Sequence, residues 1–186
     1  MRISENLKSI IIQIIKFLPI KNKNLVRFRI RNAFVNIILK LYSFNPYSKL
    51  SKFFYYSLSD KYANYKDLYN LLGHLKKRDN PKTILEIGIG GHNKQYSGGY
   101  SLVALSHYYF NSKIYGLDIN EKSFLNSKKI KTIQGSQSDE ELLEKIGTKN
   151  GPFDIIIDDG SHYVDHQIIT FQNLWKHLND DGYYLI

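Results

Sequence analysis

The strongest constraint on the fold is an alternation that begins at residue 82. Short β-branched runs, TILEIG (83–88), KIYGLD (113–118), IKTIQG (130–135), FDIIIDD (153–159) and GYYLI (182–186), are separated by longer segments of mixed polarity. Those segments predict helices over 98–110, 121–127, 138–147 and 165–178. Strands that are apolar along nearly their whole length are covered on both faces, which marks a parallel sheet flanked by helices. The reading is therefore an α/β, Rossmann-like, mostly parallel sheet with helices on both faces, and its ligands belong at the carboxyl ends of the strands.

At 186 residues the chain is long enough for one main domain with an appendage. The expected division is a helical extension over 1–70 and a ligand-binding domain over 71–186, with the boundary inside 61–81. Cysteine is absent, which excludes disulfides, thiolate metal sites and cysteine nucleophiles and suits a cytoplasmic protein.

The net charge of +9 suggests nucleic acid until it is located. Residues 1–60 carry 11 Lys and Arg against Glu5 and Asp60, whereas residues 61–186 carry 15 basic and 15 acidic side chains. Within the basic third, LKSIIIQIIKFLPIKNKNLVRF and RNAFVNIILKLY read as amphipathic helices broken at Pro19 and Pro46. The apolar run 10–20 is interrupted by Gln13 and Lys16, too short and too polar to span a bilayer, and has no small-residue cleavage site. Such helices cap the main domain or pack against another subunit, or they attach to an anionic membrane surface, which would place the protein peripherally at the inner membrane. Nucleic acid is not expected, because the basic residues alternate with Ile and Leu instead of forming a stripe.

Four successive strands deliver polar groups to one edge: Glu86 with Gly88, then Asp118, then the loop Gly135, Ser136 and Gln137, then Asp158 and Asp159. The first turn, EIGIGGHNKQYSGGYSL, has Gly88 and Gly90 but Asn93 where a dinucleotide fingerprint places its last glycine, and its helix starts late, after Gly98 and Gly99. A pyrophosphate needs a tight turn onto a helix N-terminus, and Glu86 would repel it while attracting an ammonium group. The expected ligand is a nucleoside carrying an amino-acid zwitterion, S-adenosylmethionine. Glu86, Gly88 and Gly90 would face its methionine part, the loop from Tyr96 through Ser97, Gly98 and Gly99 would offer amides to its carboxylate, and Asp118 would hold the ribose hydroxyls. Gly135, Ser136 and Gln137 fit an adenine-edge loop, with an ordinary turn as the alternative.

TILEIGIGG, IYGLDI, IQGSQSD and FDIIIDDGSH, in this order and spacing, resemble class I S-adenosylmethionine-dependent methyltransferases, and more narrowly the macrocin and mycinamicin type of sugar O-methyltransferases. The match covers about residues 80–186. It implies a seven-stranded Rossmann-like sheet, a magnesium ion beside the cofactor, and a hydroxyl of a deoxysugar or related glycosyl unit as the small-molecule acceptor. On this resemblance Asp159 is the metal ligand, His162 the general base that takes the hydroxyl proton, and Asp158 an acid on the cofactor side.

Blander readings stand beside these. Asp158 and Asp159 would end a strand and cap a helix, His162 and His166 would be loop and helix residues, and Ser138 with Glu141 would form a capping box. FFYY (53–56) and HYYF (107–110) read as packing. In the resembled family an acidic pair after the next strand completes the metal site; this sequence stops at Ile186, and the expectation is a portion of a longer protein. The competing functions are a catalytically inactive cofactor-binding or scaffold module, and a nicotinamide-dependent oxidoreductase, which the glycine spacing disfavours. Association into a homo-oligomer is compatible with all of them.

Overall fold

The computed structural model describes residues 23–78, 83–92, 94 and 96–186. Five strands, β1 (Thr83–Ile87), β2 (Lys113–Asp118), β3 (Ile130–Gln134), β4 (Phe153–Asp158) and β5 (Leu178–Leu185), form one sheet in the order β3-β2-β1-β4-β5. Every pairing is parallel. Side chains alternate between the two faces along each strand. Ile84, Ile114, Ile155 and Ile157 enter one buried cluster, and Leu85, Ile87, Leu117 and Ile156 enter the other. That double burial is why the strands read as nearly continuous apolar runs.

The first face is covered by α1 (Lys23–Ser43), α2 (Leu50–Ser57), α3 (Lys61–Leu75) and α4 (Tyr100–Tyr108). Phe28, Val35 and Leu39 of α1, Phe53 and Phe54 of α2, and Tyr69 and Leu72 of α3 share one cluster with the sheet. The basic N-terminal helix thus contributes to the same core as the strands. Arg31 shows how its charge is used: the guanidinium lies 4.1 Å from the centre of the Tyr100 ring and hydrogen-bonds the Tyr100 hydroxyl. The expected helical segment over 10–20 lies outside the described residues. On the opposite face, α5 (Glu140–Asn150) supplies Leu143 and Ile146, and α6 (Val164–Leu174) supplies Leu174.

Several local expectations change. The helix expected over 121–127 is a single 3-10 turn, Ser123–Leu125, and the end of the segment expected as helix over 165–178 is a second such turn, Trp175–His177. Helix α5 is capped by Asp139, whose Oδ1 accepts the Leu142 amide at 3.0 Å. Ser138 instead pairs with the Ser136 hydroxyl at 2.8 Å, so the cap falls one residue later, at Asp139, and the expected Ser138–Glu141 capping box does not form. Strand β5 begins at Leu178, earlier than expected, with a register shift opposite Phe153 and Ile155.

The tyrosine-rich stretches place Phe53, Phe54, Tyr108 and Tyr109 in the core and leave Phe110 exposed at the rim. Phe53 is fully buried, edge-on to Tyr42 (5.4 Å) and Tyr108 (5.3 Å), with the Arg78 guanidinium 5.2 Å from its ring centre. Phe53→Ala empties a site walled by helices and strands that cannot collapse together, so it is expected to cost about 3–5 kcal/mol. Denaturant unfolding checks this; a loss under 1 kcal/mol would mean the aromatic cluster does not anchor α2 to the sheet.

Candidate functional site

The strand order reverses direction between β1 and β4, and at that switch point the carboxyl ends of the strands open a crevice. The glycine turn after β1 forms its floor. The Gly88 amide donates to the Leu117 carbonyl at 2.8 Å and the Ile89 amide to Asp118 Oδ2 at 3.1 Å, which ties the turn to β2. On the other side the Asp159 amide donates to the Ile87 carbonyl at 3.0 Å. This brings the backbones so close that a Cβ on Gly88 (φ +74°) would lie 2.2 Å from the Asp159 carbonyl oxygen. At Gly90 (φ +69°) a Cβ would meet nothing within 4 Å, because this residue faces the open space. The Gly99 amide then donates to the Ile89 carbonyl at 2.6 Å and closes the turn before α4 begins.

The cavity so formed encloses about 230 Å³. Of the residues expected from sequence, Glu86, Gly88, Gly90, Ser97, Gly98, Gly99 and Asp159 lie in its wall. Leu58, Ser59, Asp60 and Lys61, from the turn that starts α3, complete it. Tyr96, Asp118, Gly135, Ser136, Gln137, Asp158 and His162 are not in that wall.

Glu86 sits differently from its expected role. Its carboxylate is fully buried, takes the Ser101 hydroxyl at 2.8 and 2.7 Å, and lies 3.0 Å from Lys61 Nζ. The same ammonium bonds Asp159 Oδ2. Burial opposes the charge on Lys61, but the adjacent Glu86 and Asp159 carboxylates outweigh it and hold the ammonium above the ordinary lysine range. Sequence reasoning missed this lysine. It stands 25 residues before Glu86 and 98 before Asp159 in a segment that carries no motif.

The remaining candidates lie outside that wall. Asp118 is buried and accepts the Asn120 amide on Oδ1 at 2.8 Å as well as the Ile89 amide, so it orders the glycine turn. Tyr96 packs against Phe28 and Phe124. Gln137 braces the loop after β4: its amide nitrogen donates to Asp158 Oδ1 (3.3 Å) and Thr170 (3.2 Å), and its oxygen accepts the Ser161 amide (2.6 Å). Burial raises the Asp158 carboxyl above its usual range, and its Oδ2 is buried without a hydrogen-bond partner. His162 is largely exposed and has φ +60°, a conformation uncommon outside glycine, with Nε2 3.8 Å from Asp159 Oδ1. The chain thus turns sharply at this point and leaves the imidazole free beside Asp159. His166 Nδ1 is taken by the Ser161 hydroxyl at 2.8 Å.

Among the described residues no group of three His, Cys, Asp or Glu side chains converges as a metal cage. Asp159 Oδ1 is one oxygen that faces away from Lys61, and a magnesium ion requires several such ligands. The described residues therefore do not make a complete metal site.

The two glycines provide a test of this geometry. Ala at either position carries about 1–2 kcal/mol of left-handed strain, and at Gly88 the clash with the Asp159 carbonyl adds about 1–3 kcal/mol of overpacking. Gly88→Ala should therefore lower the unfolding midpoint clearly more than Gly90→Ala, and equal losses would contradict the close approach of β1 and β4.

No protein-family model matches the chain. Over 109 residues it is 43% identical to the mycinamicin VI 2″-O-methyltransferase of Micromonospora griseorubida and 41% identical to the demethylmacrocin O-methyltransferase of Streptomyces fradiae. Each match covers 59% of this chain but only 27% and 28% of those proteins, so the chain spans under a third of the length of the curated relatives it matches. Among solved structures it is similar to the MycE methyltransferase of the mycinamycin biosynthetic pathway in complex with Mg, SAH and mycinamycin VI. That match has a TM-score of 0.69 at 36% identity and covers 74% of this chain and 38% of that one. The chain has the Rossmann-like fold of class I methyltransferases and, over the matched stretch, resembles sugar O-methyltransferases of the macrocin and mycinamicin type.

Proposed function

We propose that this chain is the cofactor-binding portion of an S-adenosylmethionine-dependent O-methyltransferase whose acceptor is a sugar hydroxyl of a glycosylated small molecule. The observation that carries the reading is the cradle at Gly90, a positive-φ glycine facing an open cavity at the switch point, with charged side chains on the opposite wall. A cradle of this kind admits the backbone of an amino-acid ligand, and the charges suit a zwitterion better than a pyrophosphate. The similarity to sugar O-methyltransferases, and to MycE with its bound SAH, supports the same ligand.

When bound, the cofactor supplies an electrophilic sulfonium methyl group. The chain's own residues bind and orient it. The Gly88–Gly91 backbone and the amides near Ser97 to Tyr100 hold the methionine part. Asp118 retains lone pairs beyond those used by Ile89 and Asn120 and accepts from the ribose hydroxyls. The Ser136 and Gln137 loop borders the adenine. His162 takes the acceptor proton, and Asp159, 3.8 Å away, stabilises the imidazolium that results. Asp159 Oδ1 would serve as one ligand for magnesium, which when bound would make the acceptor hydroxyl more acidic, and His162 would take its proton.

No helix among the described residues is long and apolar enough to cross a membrane. A peripheral membrane contact, or association with a second copy, would use the apolar side chains that α1 leaves exposed, such as Ile37 and Leu41.

Calorimetry with S-adenosylmethionine tests the binding half of the proposal. Asp118→Ala should weaken affinity by about 1.5–3 kcal/mol, the range for charge-assisted hydrogen bonds. Unchanged affinity would remove Asp118 from the ribose site. In the natural protein that carries this chain, His162→Ala should leave cofactor affinity intact and lower turnover on glycoside acceptors by roughly 10²- to 10⁴-fold. Full turnover by that variant would rule out His162 as the base, while cofactor binding without transfer by the wild type would favour an inactive binding module.

A further inference from the structure

We infer that Lys61 is the residue that recognises the amino-acid end of the cofactor, by donating to its carboxylate; this rests on the reading of the cavity as an S-adenosylmethionine site. From sequence, Glu86 and the glycine turn were expected to face the methionine part and the amides around Ser97 to Tyr100 to take its carboxylate. Glu86, however, is fully buried, and both of its oxygens are already engaged by Ser101 and Lys61. The buried Glu86 is therefore not the group a ligand meets at that wall; the ligand meets the Lys61 ammonium beside the Asp159 carboxylate.

Three observations give the lysine this role. Its Nζ has three hydrogens, of which Glu86 Oε1 and Asp159 Oδ2 take two, so one donor remains. Lys61 lies in the cavity wall although its side chain is only 4% exposed, so that donor is desolvated and held in one place. The same wall contains Tyr100 and Ser101, the first residues of α4, where the helix end adds partial positive charge. The third Lys61 N–H and the start of α4 are the donors that this side of the cavity offers to a carboxylate, beside the two acids Asp159 and Asp60. Asp60, also in the wall, gives the cofactor's ammonium a partner on the α3 side.

The backbone holds the lysine over the cavity by two irregularities. Leu58 closes α2 with φ +68°, and α3 is kinked at Tyr65 (φ −128°, ψ 20°), one turn after Lys61. Between these points the chain bends across the crevice and presents Leu58, Ser59, Asp60 and Lys61 to it.

Calorimetry with two ligands isolates the contact. S-adenosylhomocysteine carries the amino-acid end, whereas 5′-methylthioadenosine has the same nucleoside and lacks it. The wild type should prefer S-adenosylhomocysteine. Lys61→Met should reduce affinity for S-adenosylhomocysteine by about 10- to 100-fold and leave that for methylthioadenosine unchanged, the second ligand serving as the check on folding. Should Lys61→Met fail to fold around an uncompensated Glu86, Lys61→Gln keeps an N–H donor for Glu86 without the charge, and the same loss is expected. Lys61→Arg should retain most of the preference. A ratio of the two affinities unchanged in the folded variant would overturn the inference. So would tighter binding of S-adenosylhomocysteine, the result if the lysine merely occupies the cofactor ammonium's place. A wild type that binds neither ligand overturns the cofactor site itself and this inference with it.

Discussion

A single buried ammonium ties a covering helix to the ends of the two paired strands that border the cavity. Lys61 from the start of α3 reaches Glu86 at the end of β1 and Asp159 just past the end of β4. Two carboxylates brought this close would repel each other, and a fully buried one costs several kcal/mol unless compensated. Lys61 compensates both, and Ser101 adds a hydrogen bond from α4. Because the folded-state pKa of Lys61 lies above its ordinary value, this contribution is complete at neutral pH and is lost only as pH rises beyond the usual lysine range. Removing the ammonium would leave an uncompensated acid in the core, and losses of that kind run to about 3–5 kcal/mol.

The ion cluster can sit at the crevice because the sheet beneath it is closed on both faces. β1 is the central strand and β4 an interior one beside it, and Ile84, Leu85, Ile155 and Ile156 are fully buried. Such strands cannot shift register without exposing one set of side chains. Their ends are therefore held so close that a Cβ at position 88 would lie 2.2 Å from the Asp159 carbonyl oxygen. The N-terminal helices contribute to this rigidity, since Phe28, Val35 and Leu39 share the core of the sheet and Arg31 stacks on Tyr100 at the entrance to α4. Much of what appeared in composition as a basic extension is packing around the site.

The loop after β4 follows another logic. Gln137, a residue with the appearance of a ligand contact, spends its amide on Asp158, Thr170 and the Ser161 amide. Its oxygen is so close to Gly160 that a Cβ there would lie 1.9 Å from it. The loop is thus braced from beneath, and it presents Asp159 and His162 outward. The positive φ of His162 is the backbone cost of that presentation. Rigid support beneath the exposed imidazole and the half-buried Asp159 carboxylate fixes the position of both groups at the edge of the cavity.

The sheet, the strand-end acids and the glycine turn were all legible in the amino-acid sequence. Burial on both faces writes an unbroken apolar run into each parallel strand, and the polarity change at each carboxyl end is local. Helix bounds were less legible, because a one-residue difference between Ser138 and Asp139 as cap depends on which side chain the loop turns toward the Leu142 amide. The 121–127 segment formed only a 3-10 turn: Leu125 fills the space above Gly99, Phe124 packs on Phe28 and Tyr96, and Lys122 turns in to the His92 and Ser97 carbonyls, contacts that no local periodicity announces. Lys61 could not be read at all. Its partners lie 25 and 98 residues away, and they become neighbours only because β4 pairs directly with β1 while α3 crosses their ends. Sequence thus determined which residue types stand at each strand end, through periodicities a few residues long. The tertiary structure alone decided which of those charges face a ligand and which face each other, because charge pairing depends on strand order and helix placement across the whole chain.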